Sequence, residues 1–338
     1  MSDSPIEPLH IGLDDGYAFT KIALPSGRVF AVSSRARLGA AGVTALKRDH
    51  LTVREYDADG LRYSAGSVDG EATGFDDYPV SALNRVVVQH ALQVAGLSGR
   101  VLHAVSGLPV SAFYQADGTR RSDFIARKTK SLLTAARPAD GQPPAEIAFH
   151  DVIPEALAAW YDDVITETAE GIRLETERMQ VPVAVIDIGG RTTDYVVVAD
   201  ETILHRSSGS LRCGLLDVKQ QMTHKLRARF DLDGVSERTV EDAMHCGRLR
   251  LFGGSHDVTD LLNVALREVV ERIYVESRRQ LGRGAELERV LFVGGGAVVL
   301  DAHIRHWFPN QVIAGLPAFA NARGMLKYLK YVAQEPAR

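Results

Sequence analysis

VAVIDIGGRTTDYVVVA, residues 183–199, sets two apolar, β-branched runs on either side of a short turn of Gly, Arg and Thr. That pattern reads as a hairpin, because β-branched residues favour strands and glycine supplies the turn. Asp187 stands at the end of the first run. A carboxylate closing a buried strand is costly unless it meets a cation or hydrogen-bond donors. Gly189, Gly190, Thr192 and Thr193 stand beside it, and their amides and hydroxyls suit the γ-phosphate of a nucleotide. Taken alone, the stretch would serve equally well as a plain connector.

A second copy of the design lies roughly half a chain earlier, in LHIGLDDGYAFTKIAL at residues 9–24. Asp14 stands near the strand end, where it can hold Mg²⁺ through water, since Mg²⁺ keeps several of its own waters. Gly16 lets backbone amides approach a phosphate with no side chain in the way, and Lys21 can reach phosphate oxygens. A third element, VLFVGGGA at residues 290–297, is a strand ending in Gly294, Gly295 and Gly296. Bare backbone there offers a platform for a flat base, although the same run also suits a turn closing a βα unit. Two phosphate-gripping hairpins facing each other, plus a platform for a base, describe a site for a nucleoside triphosphate.

The surrounding chain alternates strands and helices. Apolar spacing predicts helices over residues 80–95 (stopped by Gly96), 216–230, 259–281 and 321–332. Strand-like runs occupy 51–56, 61–65, 101–105 and 289–293. Residues 154–164 read as a helix with Pro154 in its first turn. Residues 117–144 are polar and basic and end in RPADGQPPAE, which predicts a hairpin or mobile loop. Such alternation belongs to layered α/β folds.

With 338 residues the chain suits two α/β lobes better than one core. A net charge of −4 gives no reason for the whole surface to attract nucleic acid or anionic lipid, so any DNA role would act through a local patch or a partner. The N-terminus lacks a signal-peptide pattern, and no apolar run approaches the ~20 residues that span a bilayer. A cytoplasmic protein without membrane attachment is expected. Cys213 and Cys246 form no metal-ligand pattern and are expected to be two buried thiols.

The three glycine-bearing segments, in this order, resemble the two phosphate motifs and the adenosine motif of the actin, heat-shock chaperone and sugar-kinase superfamily. Finer stretches resemble its ParM/StbA branch of plasmid-segregation ATPases. They are LNRVVVQHAL at 83–92, GLPV at 107–110 with Phe113 and Tyr114, VIPEA at 152–156, CGL at 213–215 and NARGM at 321–325. The resemblance implies two actin-like lobes, duplicated ribonuclease-H-like domains, at residues 1–153 and 154–317. The C-terminal helix, within 318–338, would pack back on the first. It implies ATP and Mg²⁺ in the cleft, Asp14 and Asp187 holding the metal through water, and phosphate contacts from Gly16, Lys21, Gly189, Gly190, Thr192 and Thr193. Tyr17 stands where many relatives carry a small hydroxyl residue, so a backbone contact is expected there, and Arg191 is a bulkier variation.

Glu155 matches the acidic residue that such proteins use to orient the attacking water. The bland alternative is a helix-start carboxylate favoured by the dipole. By resemblance the protein would form filaments with itself. A small DNA-binding adaptor on a centromere-like plasmid site would link it to DNA, with no direct sequence-specific DNA contact. Two other uses of the same fold are a small-molecule kinase and a non-polymerising scaffold ATPase. Arg120, Arg121, Arg127, Lys128 and Lys130 read as a solvated basic face, His90 and His103 as core histidines, and Leu326, Leu329 and Val332 as helix packing.

Overall fold

The computed structural model describes residues 7–42, 53–168 and 171–333. The chain opens with β1 (Leu9–Asp15), β2 (Phe19–Ala23), β3 (Val29–Ser33), β4 (Ala36–Leu38), β5 (Val53–Ala58) and β6 (Leu61–Gly66). There follow α1 (Ala82–Val94), β7 (Val101–Leu108), α2 (Val110–Phe113), α3 (Ser122–Leu132), β8 (Arg137–Pro138) and β9 (Glu146–Pro154). Next come α4 (Leu157–Val164), β10 (Ile165–Thr168), β11 (Gly171–Leu174) and α5 (Thr176–Gln180).

The second half begins with β12 (Val183–Ile188), β13 (Thr193–Ala199), β14 (Thr202–Ile203) and β15 (Gly209–Leu211). It continues through α6 (Leu215–Phe230), α7 (Glu237–Cys246), β16 (Arg248–Leu251), β17 (Gly254–Asp257) and α8 (Thr259–Leu281). It closes with β18 (Arg289–Val293), α9 (Gly294–Val299), α10 (Asp301–Ile304), β19 (Gln311–Ile313) and α11 (Ala320–Tyr331).

Two sheets repeat one topology. The first runs β3-β2-β1-β7-β9 and the second β14-β13-β12-β18-β19, with β15 added on β13. In each, an antiparallel hairpin supplies the central strand, which then pairs in parallel with a later one. Every residue of β12 is buried, which explains its unbroken apolar run: both faces of a central strand are covered. On one face Ile186, Ile188 and Phe292 pack with Val269 and Ile273 of α8, and on the other Val183 and Val185 meet Trp160 of α4. In the first sheet Ile11, Leu13 and Leu102 pack with Val88 and Leu92 of α1.

β4, β6, β5 and β8 form a smaller sheet beside the first. Residues 51 and 52 of the first expected strand lie outside the described chain. α11 lies against β1 and α4 through two glycines. A side chain on Gly12 would overlap the Ala322 carbonyl, and one on Gly324 would overlap the Ala158 carbonyl. Leu326 and Leu329 of this helix are buried, whereas Val332 beyond it is 44% exposed and packs little.

Three local expectations need correction. Residues 117–144 do not form only a loop or hairpin, because α3 occupies their middle. Phe124 and Ile125 of that helix pack beside Leu108, Phe113 and Val152. Pro154 ends strand β9 and does not start the helix. β9 lies at a sheet edge, where a missing N–H is tolerated. Cys213 is buried as expected, but Cys246 is exposed at the end of α7. Among the described residues no helix is long and apolar enough to cross a membrane.

Candidate functional site

The turns of the two large hairpins face each other. A Cβ added to Gly190 would lie 2.7 Å from that of Ala18, so backbone meets backbone across the gap. The second turn is braced from behind by the start of α6. Leu215 and Leu216 donate their amides to the carbonyls of Gly189 and Gly190, at 3.1 and 2.7 Å. Thr193 Oγ1 donates to the Cys213 carbonyl, and Thr192 is buried beside it. Ser34 Oγ holds the Gly16 carbonyl at 2.7 Å, which fixes the first turn in the same way.

Alternation along β1 sends its two terminal carboxylates to opposite faces. Asp14 pairs across the hairpin with Lys21, whose Nζ donates to Asp14 Oδ2 at 2.8 Å. Asp15 turns the other way, onto Lys128 of α3 and Asn84 of α1. Lys128 is 1% exposed and donates to both Asp15 oxygens and to the Gly107 carbonyl. It therefore leaves the expected solvated basic face. An ammonium can be buried when every proton finds an oxygen. Burial raises the Asp15 carboxyl above its ordinary value, although Lys128 opposes the change.

Asp187 is the penultimate residue of β12 and is 3% exposed. Asn321 of α11 donates to its Oδ2 at 2.6 Å, and the Asn321 oxygen accepts the Ala156 amide at 3.2 Å. Glu155 immediately precedes that amide, in the turn between β9 and α4. Ala156 adopts φ 62, unusual for a residue with a side chain, so the turn carrying Glu155 is held rather than relaxed. Asp194 faces Asp187 across the hairpin. It accepts the Val110 amide at 2.7 Å and the Ser210 hydroxyl.

These side chains converge electrostatically. Burial raises Asp187 to about 7, and the nearby charges of Asp14 and Asp194 push the same way. Burial, then Asp194, Asp14 and Asp187, hold Glu155 well above the ordinary carboxylate range. Burial works against the Lys21 ammonium, yet Asp14, Asp187 and Glu155 outweigh it and raise its pKa. Asp14, Asp187 and Glu155 around one ammonium, with Asp194 acting on the latter two, form an acidic pocket that a divalent cation with hard oxygen ligands fits. Among the described residues no three His, Cys, Asp or Glu side chains are grouped to hold a metal. A cation held here would keep water between itself and Asp14 or Asp187.

The glycine triplet is not uniformly a platform. Side chains on Gly294 or Gly296 would overlap Asp187 and Ile188, so these two glycines exist to seat β18 and α9 against β12. Gly294 also has φ +87. Gly295 alone is partly exposed, and a Cβ there would find its nearest neighbour, Leu215 Cδ1, at 3.9 Å. Tyr17 is buried against Tyr78, with the Arg191 guanidinium 5.2 Å above its ring. Arg191 in turn meets Asp76 at 2.7 Å, an ion pair between the second hairpin and the segment before α1.

Sequence reasoning found Asp14, Lys21, Glu155 and Asp187, which the structure brings together. It missed Asp194, although its place directly across the turn from Asp187 is a readable signal. It also missed the roles of Asn84, Lys128 and Asn321.

The repeated sheet with its facing hairpins defines an actin-like protein. Family models agree on both halves. Residues 9–165 match the N-terminal part of plasmid segregation protein ParM, and residues 185–306 match the C-terminal part of an archaeal MreB-like actin homologue. The chain is a ParM-type actin-like protein. No curated protein matches it. Among solved structures, a 15-stranded ParM filament from Clostridium botulinum has TM-score 0.76 and 18% identity, over 96% of this chain and 99% of that one. Ta0583, an archaeal actin homologue, has TM-score 0.74 and 18% identity, over 95% of this chain and 99% of that one. Bacillus thuringiensis ParM with ATP has TM-score 0.64 and 14% identity, over 96% of this chain and 100% of that one.

Proposed function

We propose that this protein binds and hydrolyses ATP with Mg²⁺ and assembles into filaments that segregate plasmid DNA. The observation that carries the reading is the convergence of Asp14, Lys21, Glu155 and Asp187 where two glycine turns meet. Supporting it, a ParM of this fold has been described as a filament and another with ATP, and Ta0583 with ADP.

In this reading residues 1–153 with the C-terminal helix make one lobe and residues 154–317 the other. Amides and hydroxyls of Gly16, Tyr17, Gly189, Gly190, Thr192 and Thr193 bind phosphate oxygens, and Lys21 adds a charge to them. Gly295 carries the contact with the base, while Gly294 and Gly296 shape the strand end beneath it. Mg²⁺ supplies charge neutralisation on the phosphates, and Asp14 and Asp187 hold its water shell. Glu155 orients the attacking water, and its raised pKa suits a group that accepts a proton during attack. Self-association gives the filament, and a small adaptor protein links it to a centromere-like site. In this reading the protein works in the cytoplasm.

The test is right-angle light scattering after adding ATP and Mg²⁺. A polymerising ATPase shows a threshold concentration and a specific ATPase rate that rises with protein concentration. Turnover at constant specific activity that requires an added acceptor hydroxyl, without scattering, identifies a kinase instead. Asp14→Ala and Asp187→Ala should both abolish hydrolysis while leaving the protein folded.

A further inference from the structure

The hairpin of β16 and β17 carries a residue that its own turn disfavours. Phe252 stands at the tip with φ 50, followed by Gly253 with φ 78. A two-residue turn with both φ values positive prefers Asn, Asp or Gly at its first position, and a bulky aromatic there is an outlier. The ring gains nothing from the rest of the molecule, being 90% exposed. Strand alternation puts Arg248 and Arg250 on the same outward face, while Leu249 and Leu251 turn into the core with Met222 and Leu226. Arg250 makes no ion pair among the described residues. An exposed aromatic backed by an unmatched arginine is the composition of an interface anchor.

A groove of about 610 Å³ lies on the same half of the molecule. Leu211, Val269 and Val275 give it an apolar lining, and Val275 is 55% exposed. Glu268, Glu271 and Glu276 edge it. Its one basic lining residue, Arg272, is engaged by Asp217 at 3.2 Å. Glu268 is paired with Lys225 and Glu276 with Arg279, but Glu271 makes no ion pair among the described residues.

The two features cannot meet within one copy. α6 and α8 run antiparallel, as Arg229 pairs with Asp260, Lys225 with Glu268 and Asp217 with Arg272. The hairpin caps the end of this pair where the Phe230 and His256 rings meet edge to face. The groove lies toward the other end, roughly 18 Å away along α8 between Asp260 and Arg272, at about 1.5 Å per residue. A basic aromatic tip at one end and an acidic apolar groove toward the other are complementary between copies. A contact of this kind, using different surfaces on each partner, propagates instead of closing.

We infer that the β16–β17 hairpin of one copy docks through Phe252 and Arg250 into the Leu211–Val275 groove of the next, edged by Glu271. This deepens the filament reading and rests on it. The hairpin and groove form the anchor of a wider contact whose remaining surface excludes water.

Phe252→Asn removes the ring while placing a residue suited to the turn, so the hairpin stays folded. Glu271→Arg reverses the groove's unmatched charge. With ATP and Mg²⁺, each variant should bind ATP as the wild type does, yet need at least about tenfold more protein to scatter light. Mixed together they should stop at pairs in analytical ultracentrifugation, because one supplies an intact groove and the other an intact hairpin. Arg250→Glu should fail alone and recover when combined with Glu271→Arg in one chain. Variants that assemble at the wild-type threshold overturn the contact. So do a mixture that stays monomeric and a charge reversal that does not recover. Wild-type protein that never assembles overturns the filament reading and this contact with it.

Discussion

Lys128 follows Asp15 by 113 positions in the chain, yet its ammonium nitrogen lies 2.8 Å from one carboxylate oxygen and 2.9 Å from the other. With the Gly107 carbonyl as third acceptor, all three ammonium protons are used. This buried pair ties α3 to the end of β1, directly behind the turn that carries Gly16. Removing one partner strands the other charge. Lys128→Met should therefore cost about 3–5 kcal/mol in urea unfolding. The double variant Lys128→Met with Asp15→Asn should recover a large part of that loss. Equal stability of wild type and Lys128→Met would show that the pair is solvated.

Asp187 makes stability depend on pH. Its carboxyl titrates at about 7 in the folded protein, against an ordinary value of 3.8. Between those values the folded state keeps a proton that the unfolded state has released, so stability falls as pH rises. Below 3.8 the group contributes nothing, and above about 7 the loss is complete, at roughly 4 kcal/mol. Nucleotide-free protein should show a falling thermal midpoint from about pH 4 to pH 7. Asp187→Asn should flatten part of that slope, because Glu155, Asp194 and Asp15 are raised as well. Identical slopes for both proteins would mean that Asp187 ionises normally.

The glycine triplet predicts its own hierarchy. Gly294→Ala and Gly296→Ala force a methyl into Asp187 or Ile188, and each should destabilise the fold by more than about 2 kcal/mol. Gly295→Ala has ordinary van der Waals room, so its thermal midpoint should stay near wild type. Any effect it has should appear in ATP affinity. A destabilised Gly295→Ala beside an unaffected Gly296→Ala would reverse the assignment of which glycine faces the base.

In the proposed mechanism Glu155 separates chemistry from binding. Glu155→Ala should release phosphate at least ~100-fold more slowly while binding ATP with near-normal affinity. Filaments should still form and should last longer. A helix-start carboxylate would instead lose about 0.3–1 kcal/mol of stability and leave phosphate release unchanged. Phosphate release and thermal midpoint measured on one preparation decide between them.

The parts of the site legible in the sequence are those whose logic is local. An Asp, a glycine turn and a returning strand sit within a few residues, so Asp14 and Asp187 announce themselves. Lys128 and Asn321 act on partners 113 and 134 positions away, and no short-range pattern encodes that. Lys128 was further hidden by its type, since a lysine among charged neighbours reads as solvated until its carboxylate is known. Pro154 fits either a first helical turn or the end of an edge strand, and only the pairing of β9 with β7 chooses. Gly294, Gly295 and Gly296 are identical letters. Their different duties come from the direction each faces once β18 lies beside β12.

The seating of α11 bears on how the molecule is made. Domains generally fold in order as the chain leaves the ribosome. The two hairpins can form early, but Asn321, which joins Asp187 to the turn after Glu155, is synthesised 134 positions after Asp187. A chain still in translation therefore carries its two hairpins without the brace that joins Asp187 to the turn after Glu155. On the proposed function, nucleotide turnover before residue 321 is made would be disfavoured by the order of synthesis. Products cut short before residue 320 would lack the brace for good.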